Sequence, residues 1–351
     1  MLPDFRANSA PFWENGRGTQ HTSVGKLYFL QYKDAEGNTN KTESQFANIV
    51  SSGPVYADIN LYYLSDDGKI DVSYRHAEMA QTDENRTYYK IRLEVKDDVN
   101  ISDFRRDFSF FSFDSHGIHF DKVGYLNENG ESVIEDVKET DRLIKLGKEY
   151  PYFDYFGGSE KESVNFSLIV VRSDITVGGV KYDGNFIFRD RFEGTINIGA
   201  LTLDLGAATL KKGDVLELDL VLMPWGYSTS KNDKNVLDVR QDSCYDPYKL
   251  TVVEGEPYED CFIPSLRAVN NTATFKISGG RSTAAVRVYG FDSYKTPTVT
   301  FKADGVEKDI KLAGVNGYDG YQVNRDDDGT YSFSFNVDMN KAKEYEITVK
   351  Q

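Results

Sequence analysis

Hydrophobic and polar residues alternate with a period of two along most of this chain. That is the pattern of β-strands, whose successive side chains point to opposite faces. In the segment 214–223, Leu216, Leu218, Leu220 and Leu222 share one parity. In residues 70–95 two such runs, Ile70, Val72, Tyr74 and then Tyr89, Ile91, Leu93, Val95, flank a short polar loop and predict a hairpin. Further strands are predicted at 24–32, 55–64, 117–126, 164–171, near Phe186, and at 195–198, 201–205 and 249–253. In 104–113 the aromatic parity switches, from Phe108 and Phe110 to Phe111 and Phe113, so that strand is covered on both faces or carries a bulge. Residues 131–163 are polar and give no clear element. No long helical period occurs anywhere in the chain.

The spacing changes near the C-terminus. Runs at 272–277, 284–290, 297–302, 306–312, 318–323, 330–337 and 344–349 have the length and turn spacing of an immunoglobulin-like sandwich. The acidic segment 254–265, with Pro257 and Pro264, reads as the boundary before it. The expected domains are therefore residues 1–255 and 266–351. The strands of the first domain are too many for a small sandwich and fit two large sheets stacked face to face. The expected fold is all-β: a large antiparallel super-sandwich followed by a small immunoglobulin-like one.

Composition narrows the partners. Of 351 residues, 41 are Lys or Arg and 56 are Asp or Glu, a formal net charge of −15. Such a chain is repelled by nucleic-acid phosphates and anionic membrane surfaces, so neither is an expected partner. No run approaches the roughly 18–20 apolar residues of a membrane span. The 23 Tyr and 22 Phe favour sheet over helix. Cys244 and Cys261 are the only cysteines. They form either a disulfide, worth on the order of 3 kcal/mol, or two buried thiols. His116 and His119, three apart on a strand, point to opposite faces, and no Cys/His cluster has metal spacing, so no metal or cofactor is expected. The N-terminus lacks a charged leader with an apolar stretch. Either the protein is cytoplasmic or a leader has been removed; the start reads as cut from a longer chain whose other domains are expected partners, and the expected location is secreted or cell-surface. Triplets at Asn40, Asn85, Asn100, Asn165 and Asn270 match the glycosylation pattern.

Chemistry concentrates at the loop end of the 70–95 hairpin, which gathers Arg75, His76, Glu78, Asp83, Glu84, Asn85, Arg86 and Tyr88. His76 and Glu78 share a strand face, so they are either a proton-transfer pair, with Arg86 stabilising an anion, or a polar cluster closing a sheet end. Arg75, Asp83, Asn85 and Tyr88 would then position a substrate. Trp225 and Tyr227 follow the Leu-rich strand at a Pro/Gly turn, where flat rings either stack on a sugar face or plug the sandwich. Trp13, Tyr152, Tyr155 and Phe156 are candidates to extend that platform. The acidic turns at Asp66–Asp67, Asp97–Asp98 and Asp326–Asp328 lack the spacing of a calcium loop and read as solvated.

A large antiparallel sandwich carrying the hairpin Arg75-His76-Ala-Glu78 … Asp83-Glu-Asn-Arg86, the Phe-rich strand 108–113 and the strand ending at Pro224-Trp225-Gly226 resembles the galactose-mutarotase-like super-sandwich. The likeness covers roughly residues 20–253 and is one of architecture. It implies a carbohydrate-active protein, because the fold serves mutarotases and the β-domains of many polysaccharide lyases and hydrolases. The helical toroid that precedes the sandwich in many such lyases has no counterpart in this sequence, which weighs against lyase activity. The expected function is binding or processing of a polysaccharide by the larger domain. The alternative is a non-enzymatic adhesin or structural assembly protein.

Overall fold

Alternation decides which strand faces are buried, and burial decides how the sheets stack. The computed structural model describes residues 27–79, 87–114, 120–137, 141–149, 151–157, 164–193, 196–226, 248–259, 263–280, 283–308, 320–339 and 342–351. In chain order the first strands are β1 (Leu27–Lys33), β2 (Thr39–Asn40), β3 (Thr42–Ser51), β4 (Tyr56–Ser65), β5 (Ile70–Met79), β6 (Thr87–Val95) and β7 (Val99–Ile101). One helical turn, α1 (Phe104–Asp107), precedes β8 (Phe108–Asp114), β9 (Phe120–Leu126), β10 (Ser132–Asp136), β11 (Arg142–Lys145) and β12 (Tyr152–Gly157). Then come β13 (Val164–Val177), β14 (Val180–Lys181), β15 (Phe186–Glu193), β16 (Ile196–Leu203), β17 (Ala208–Leu210) and β18 (Val215–Gly226). The remainder are β19 (Lys249–Glu254), β20 (Glu256–Pro257), β21 (Ser265–Arg267), β22 (Thr272–Ser278), β23 (Thr283–Phe291), β24 (Thr298–Ala303), β25 (Val306–Lys308), β26 (Tyr321–Arg325), β27 (Tyr331–Asp338) and β28 (Glu344–Lys350). The fold is all-β, as the alternation predicts.

The chain divides into two compact units, drawn from residues 1–47, 61–75 and 88–237, and from residues 48–60, 76–87 and 238–351. In the first, a six-stranded sheet runs β11-β15-β16-β8-β1-β2. Its partner is a ten-stranded sheet, β10-β9-β12-β13-β18-β6-β5-β4-β3, with β14 on β13. One continuous core lies between them: Phe110, Phe186, Phe188 and Leu201 from the first sheet meet Val72, Leu93, Phe153, Leu168 and Leu220 from the second. Phe153 and Phe188 stack across the layer with ring centroids 3.6 Å apart. Each such side chain contributes about 1.5–3 kcal/mol on burial.

The parity switch in the Phe-rich strand has a specific cause. β1 and β8 keep one register throughout, from Leu27 opposite Phe113 to Tyr32 opposite Phe108. At the Leu30–Phe110 rung, however, the hydroxyl of Tyr74 from the other sheet stands between the strands. It accepts from the Leu30 amide at 3.0 Å and donates to the Phe110 carbonyl at 2.9 Å. Burial pushes the Tyr74 phenol well above its ordinary value, so it remains a donor. Around this inserted rung Phe29, Leu30, Phe110 and Phe111 all enter the core. The segment 104–107, expected as strand, is instead a helical turn, because the Asp103 carboxylate caps it by accepting from the Arg105 amide at 3.2 Å. Residues 131–163, which gave no clear element, hold β10, β11 and β12.

The second unit contains a small sandwich of two five-stranded sheets, β19-β22-β28-β24-β25 and β20-β21-β23-β27-β26. Strand β19, expected to end the larger domain, pairs instead with β22, Lys249 opposite Ser278. The chain passes to the other sheet through Gly255, whose φ of +115° suits glycine alone. Phe275, Ile277, Val286, Val288, Phe333, Phe335 and Ile347 fill the core. β23 and β27 are buried on both faces, although their outward residues, among them Arg287, Ser332 and Ser334, are polar. On neighbouring β26, Gln322 binds the segment between β3 and β4: Oε1 accepts from the amides of Val55 and Tyr56, and Nε2 donates to Ser51 Oγ and the Tyr56 carbonyl, all at 2.9 Å. Gly53 is required there, since a Cβ would meet the Gln322 side chain.

Candidate functional site

The outward face of the six-stranded sheet carries a cleft of about 570 Å³. Its floor is made by small side chains on the central strands, Ser109 and Ser112 of β8 and Ala200 of β16, with Ile198 beside them. Ala200 lies opposite Ser112 on one side and Arg189 on the other, and Ile198 opposite Arg191. The longer side chains stand at the margins: Arg189 and Arg191 on β15, Lys33 at the end of β1, Lys41 just past β2, and Arg106 and Asp107 on α1. A trough therefore follows directly from side-chain length along the rows of the sheet. Gln31 and Thr39 complete the lining with hydrogen-bonding groups.

Alternation on β15 places these cations. Phe188 points into the core, Arg189 outward, Asp190 inward and Arg191 outward. Asp190 is fully buried and tied from beneath: Tyr155 Oη donates to it at 2.5 Å, and Arg142 Nη2 and Nε donate at 2.6 and 3.0 Å. Arg142 continues to Glu135, which also accepts from Tyr125 at 3.0 Å. This buried relay fixes the backbone on which both outward arginines stand.

Two guanidiniums are held in place by one carboxylate. Asp141 accepts from Arg106 Nη1 at 2.7 Å and from Arg189 Nε at 2.9 Å, while Arg189 Nη1 donates to the Arg106 carbonyl at 2.7 Å. Burial acts to raise Asp141, but the Arg189 hydrogen bond and the Arg106 and Arg191 charges hold it below the usual carboxylate range. It therefore stays ionised. Lys33 and Lys41 are exposed and have no acidic partner among the described residues. Among the described residues, the trough is lined by five cations and by Asp107, with Asp141 bound to two of those cations, in a chain whose net charge is −15. Chemically the trough can bind and orient an anion; the described residues lining it include no nucleophile–base pair.

The sequence-predicted site lies elsewhere. His76 Nε2 and Glu78 Oε1 do meet, at 3.3 Å, with the histidine half-buried and the glutamate 61% exposed. The His76 hydrogen bond holds the Glu78 carboxyl below its usual range, against the effect of burial, so Glu78 is an anion at neutral pH and a poor proton donor. Along β5 burial alternates through Ile70, Val72 and Tyr74 and then shifts to Ala77, so His76 and Glu78 flank a buried residue, and Tyr88 lies on the parity opposite buried Tyr89. Asp83, Glu84, Asn85, Arg86 and Tyr227 lie outside the described residues, as do Trp13, His116, His119, Cys244 and Cys261. Trp225 falls within β18, its backbone opposite Asn165, and its side chain is likewise outside them. Tyr152 and Tyr155 are no stacking platform: both are buried, Tyr152 sharing a hydrogen bond with Ser132 and Tyr155 stacked on Phe120. The acidic turns serve the fold. Asp67 accepts from Tyr32, Asp98 from the Lys212 amide, and Asp326 from Arg287.

Sequence reasoning missed the cleft because its cations come from three separated stretches, 33–41, 106 and 189–191. The one available signal was Arg189-x-Arg191, two like charges at strand spacing beside the core residue Phe188.

No family model matches the chain, and no curated protein matches it. Among solved structures it is similar to the GH36 alpha-galactosidase AgaA of Geobacillus stearothermophilus in complex with stachyose, with a TM-score of 0.43 and 10% identity over 68% of this chain and 38% of that one. The alpha-galactosidase of Lactobacillus brevis gives 0.42 and 8% over 69% of this chain and 35% of that one. A polysaccharide lyase gives 0.29 and 13% over 92% and 39%. The chain thus spans between a third and two fifths of the length of these structures. Superpositions this loose carry no function across.

Proposed function

We propose that this chain is a carbohydrate-binding component of a secreted or cell-surface protein, and that it binds through the trough on the six-stranded sheet. The observation that carries the reading is the lining. Gln31 and Thr39 present amide and hydroxyl groups along a depression bordered by long charged side chains, over a polar floor in which Ser109 and Ser112 are nearly buried. Such a surface suits a hydroxyl-rich chain, which needs many shared hydrogen bonds and little apolar contact. A sheet floor also holds these groups rigidly, so little ordering cost falls on binding. The galactose-mutarotase-like and immunoglobulin-like identities of the two sandwiches are part of the same proposal, supported by the sheet sizes and the strand spacing.

The test is a polysaccharide array probed with the native chain and with Ala200→Trp, which fills the floor. The expected result is glycan binding by the native chain and its loss in the variant, with Glu78→Gln unchanged. Binding lost in Glu78→Gln but kept in Ala200→Trp would move the site to the hairpin. No glycan signal from a folded native chain would overturn the reading in favour of an assembly role.

A further inference from the structure

Resting on the carbohydrate reading just given, we propose that the ligand is a polyanionic glycan, a chain bearing carboxylates or sulfates at intervals, laid across the strands of the six-stranded sheet. Charge comes first. Lys33, Lys41, Arg106, Arg189 and Arg191 converge on one trough, and only Asp107 lines it with the opposite sign. Two of these, Lys33 and Lys41, have no acidic partner among the described residues, and cations so placed in an acidic protein are costly to gather unless something anionic covers them.

Spacing then decides the kind of anion. Sheet order puts β15 three strands from β1 and four from β2. At strand spacing of about 4.8 Å the arginine and lysine margins stand on the order of 14–19 Å apart. A single phosphate or sulfate cannot touch both margins. A linear chain carrying several charges can.

The two margins also differ in kind. Arg189 spends Nε and Nη2 on Asp141 and Nη1 on the Arg106 carbonyl and so stands as a fixed charge, while Arg106, bound to Asp141 through Nη1, keeps planar donors for a carboxylate or sulfate. Lys33 and Lys41 have no such brace and act as mobile point charges. The arginine margin fixes orientation, and the lysine margin adds affinity.

Nucleic acid is the other extended polyanion, and the absence of an exposed ring among the described lining residues disfavours it. Bases are held by stacking on exposed aromatic rings. The aromatic residues lining the trough, Tyr32 and Phe108, are buried, and the Tyr32 hydroxyl is bound to Asp67.

The experiment compares polygalacturonate, chondroitin sulfate, neutral galactan and a single-stranded DNA oligonucleotide by calorimetric titration at low and moderate salt. The proteins are the native chain and the double variant Lys33→Gln/Lys41→Gln. Both lysines are exposed, and a thermal melt confirms that the variant folds. The expected result is binding of an acidic glycan that weakens with salt, falls on the order of tenfold in the variant, and there depends less steeply on salt. Equal binding of neutral galactan, unaffected by the variant, overturns this inference while leaving carbohydrate binding intact. Tighter binding of DNA that falls in the variant overturns it in favour of nucleic acid. No binding of any glycan overturns both readings.

Discussion

The two outward faces of the large sandwich are both studded with charge, yet they are built to opposite ends. On the ten-stranded sheet, Arg92 meets Glu217 at 2.5 Å, Arg172 meets Asp219 at 3.1 Å, and Lys96 meets Asp71 at 2.8 Å and Glu94 at 2.9 Å. Its charges neutralise one another in rows across strands. At the trough on the six-stranded sheet Arg106 and Arg189 share Asp141, and Lys33 and Lys41 have no acidic partner among the described residues. A count of charged residues would not separate these faces. The difference lies in pairing: a face whose charges are mutually satisfied has finished its chemistry, and a face with unpaired cations lining a trough has not.

The comparison can be broken first at its foundation. Asp190→Asn removes the charge that Arg142 and Tyr155 hold beneath the arginine margin. Breaking a buried pair in this way costs about 3 kcal/mol or more. The expected outcome in urea denaturation is that loss, accompanied by weaker polyuronate binding because Arg189 and Arg191 lose their fixed backbone. Stability unchanged within error would show that the relay does not anchor β15.

A second pair of substitutions sharpens the contrast. Arg92→Gln/Arg172→Gln removes two cations from the paired face. Exposed pairs contribute about 0.2–1 kcal/mol, so a small stability loss is expected with glycan affinity unchanged. If affinity falls as far as it does for Lys33→Gln/Lys41→Gln, binding follows total charge and not the trough.

Asp219 gives a subtler test of the paired face. Burial raises its carboxyl, outweighing the attraction of Arg172 and Lys90, and its Oδ1 has no hydrogen-bond partner. Its folded pKa lies above the unfolded one, so the ionised form carries a folding penalty at neutral pH that disappears as pH falls below the unfolded value near 3.9. Asp219→Asn is therefore expected to equal or exceed the native stability at pH 7, by up to about 1 kcal/mol. The gap should narrow toward pH 4. A clear loss at pH 7 in thermal melts would mean that the Arg172 pair dominates.

The smallest effect concerns Asp141. Its folded pKa is depressed, so its stabilising contribution is complete above the unfolded value near 3.9 and is lost as pH falls through the lower folded value. The arginine margin should hold at pH 5, with polyuronate affinity close to that at pH 7. A fall between pH 7 and 5, followed by titration, would place a different ionising group in the site.

Much of the fold was legible because alternation reports directly on burial. The Leu216–Leu222 run, the 70–95 hairpin and the strand positions after residue 271 follow from it. What failed was set by tertiary contacts. The parity switch at Phe110–Phe111 depends on a hydroxyl from a strand more than thirty residues away, and the turn at α1 depends on one capping carboxylate. The hairpin stood out because its ionisable residues are neighbours in sequence, and of these His76 and Glu78 meet at 3.3 Å while 83–86 lie outside the described residues. The cleft stayed hidden for the converse reason: sheet order alone brings Lys33, Lys41, Arg106 and Arg189 together. Net charge misled in the same way, since a total of −15 does not describe one face.

Hydrogen–deuterium exchange with and without an acidic polysaccharide tests the central claim most directly. The account predicts slowed exchange confined to peptides from β1, β8, β15 and β16, around Gln31, Ser109, Ser112 and Arg189. Protection confined to peptides spanning residues 70–95, with the six-stranded sheet unchanged, would contradict it.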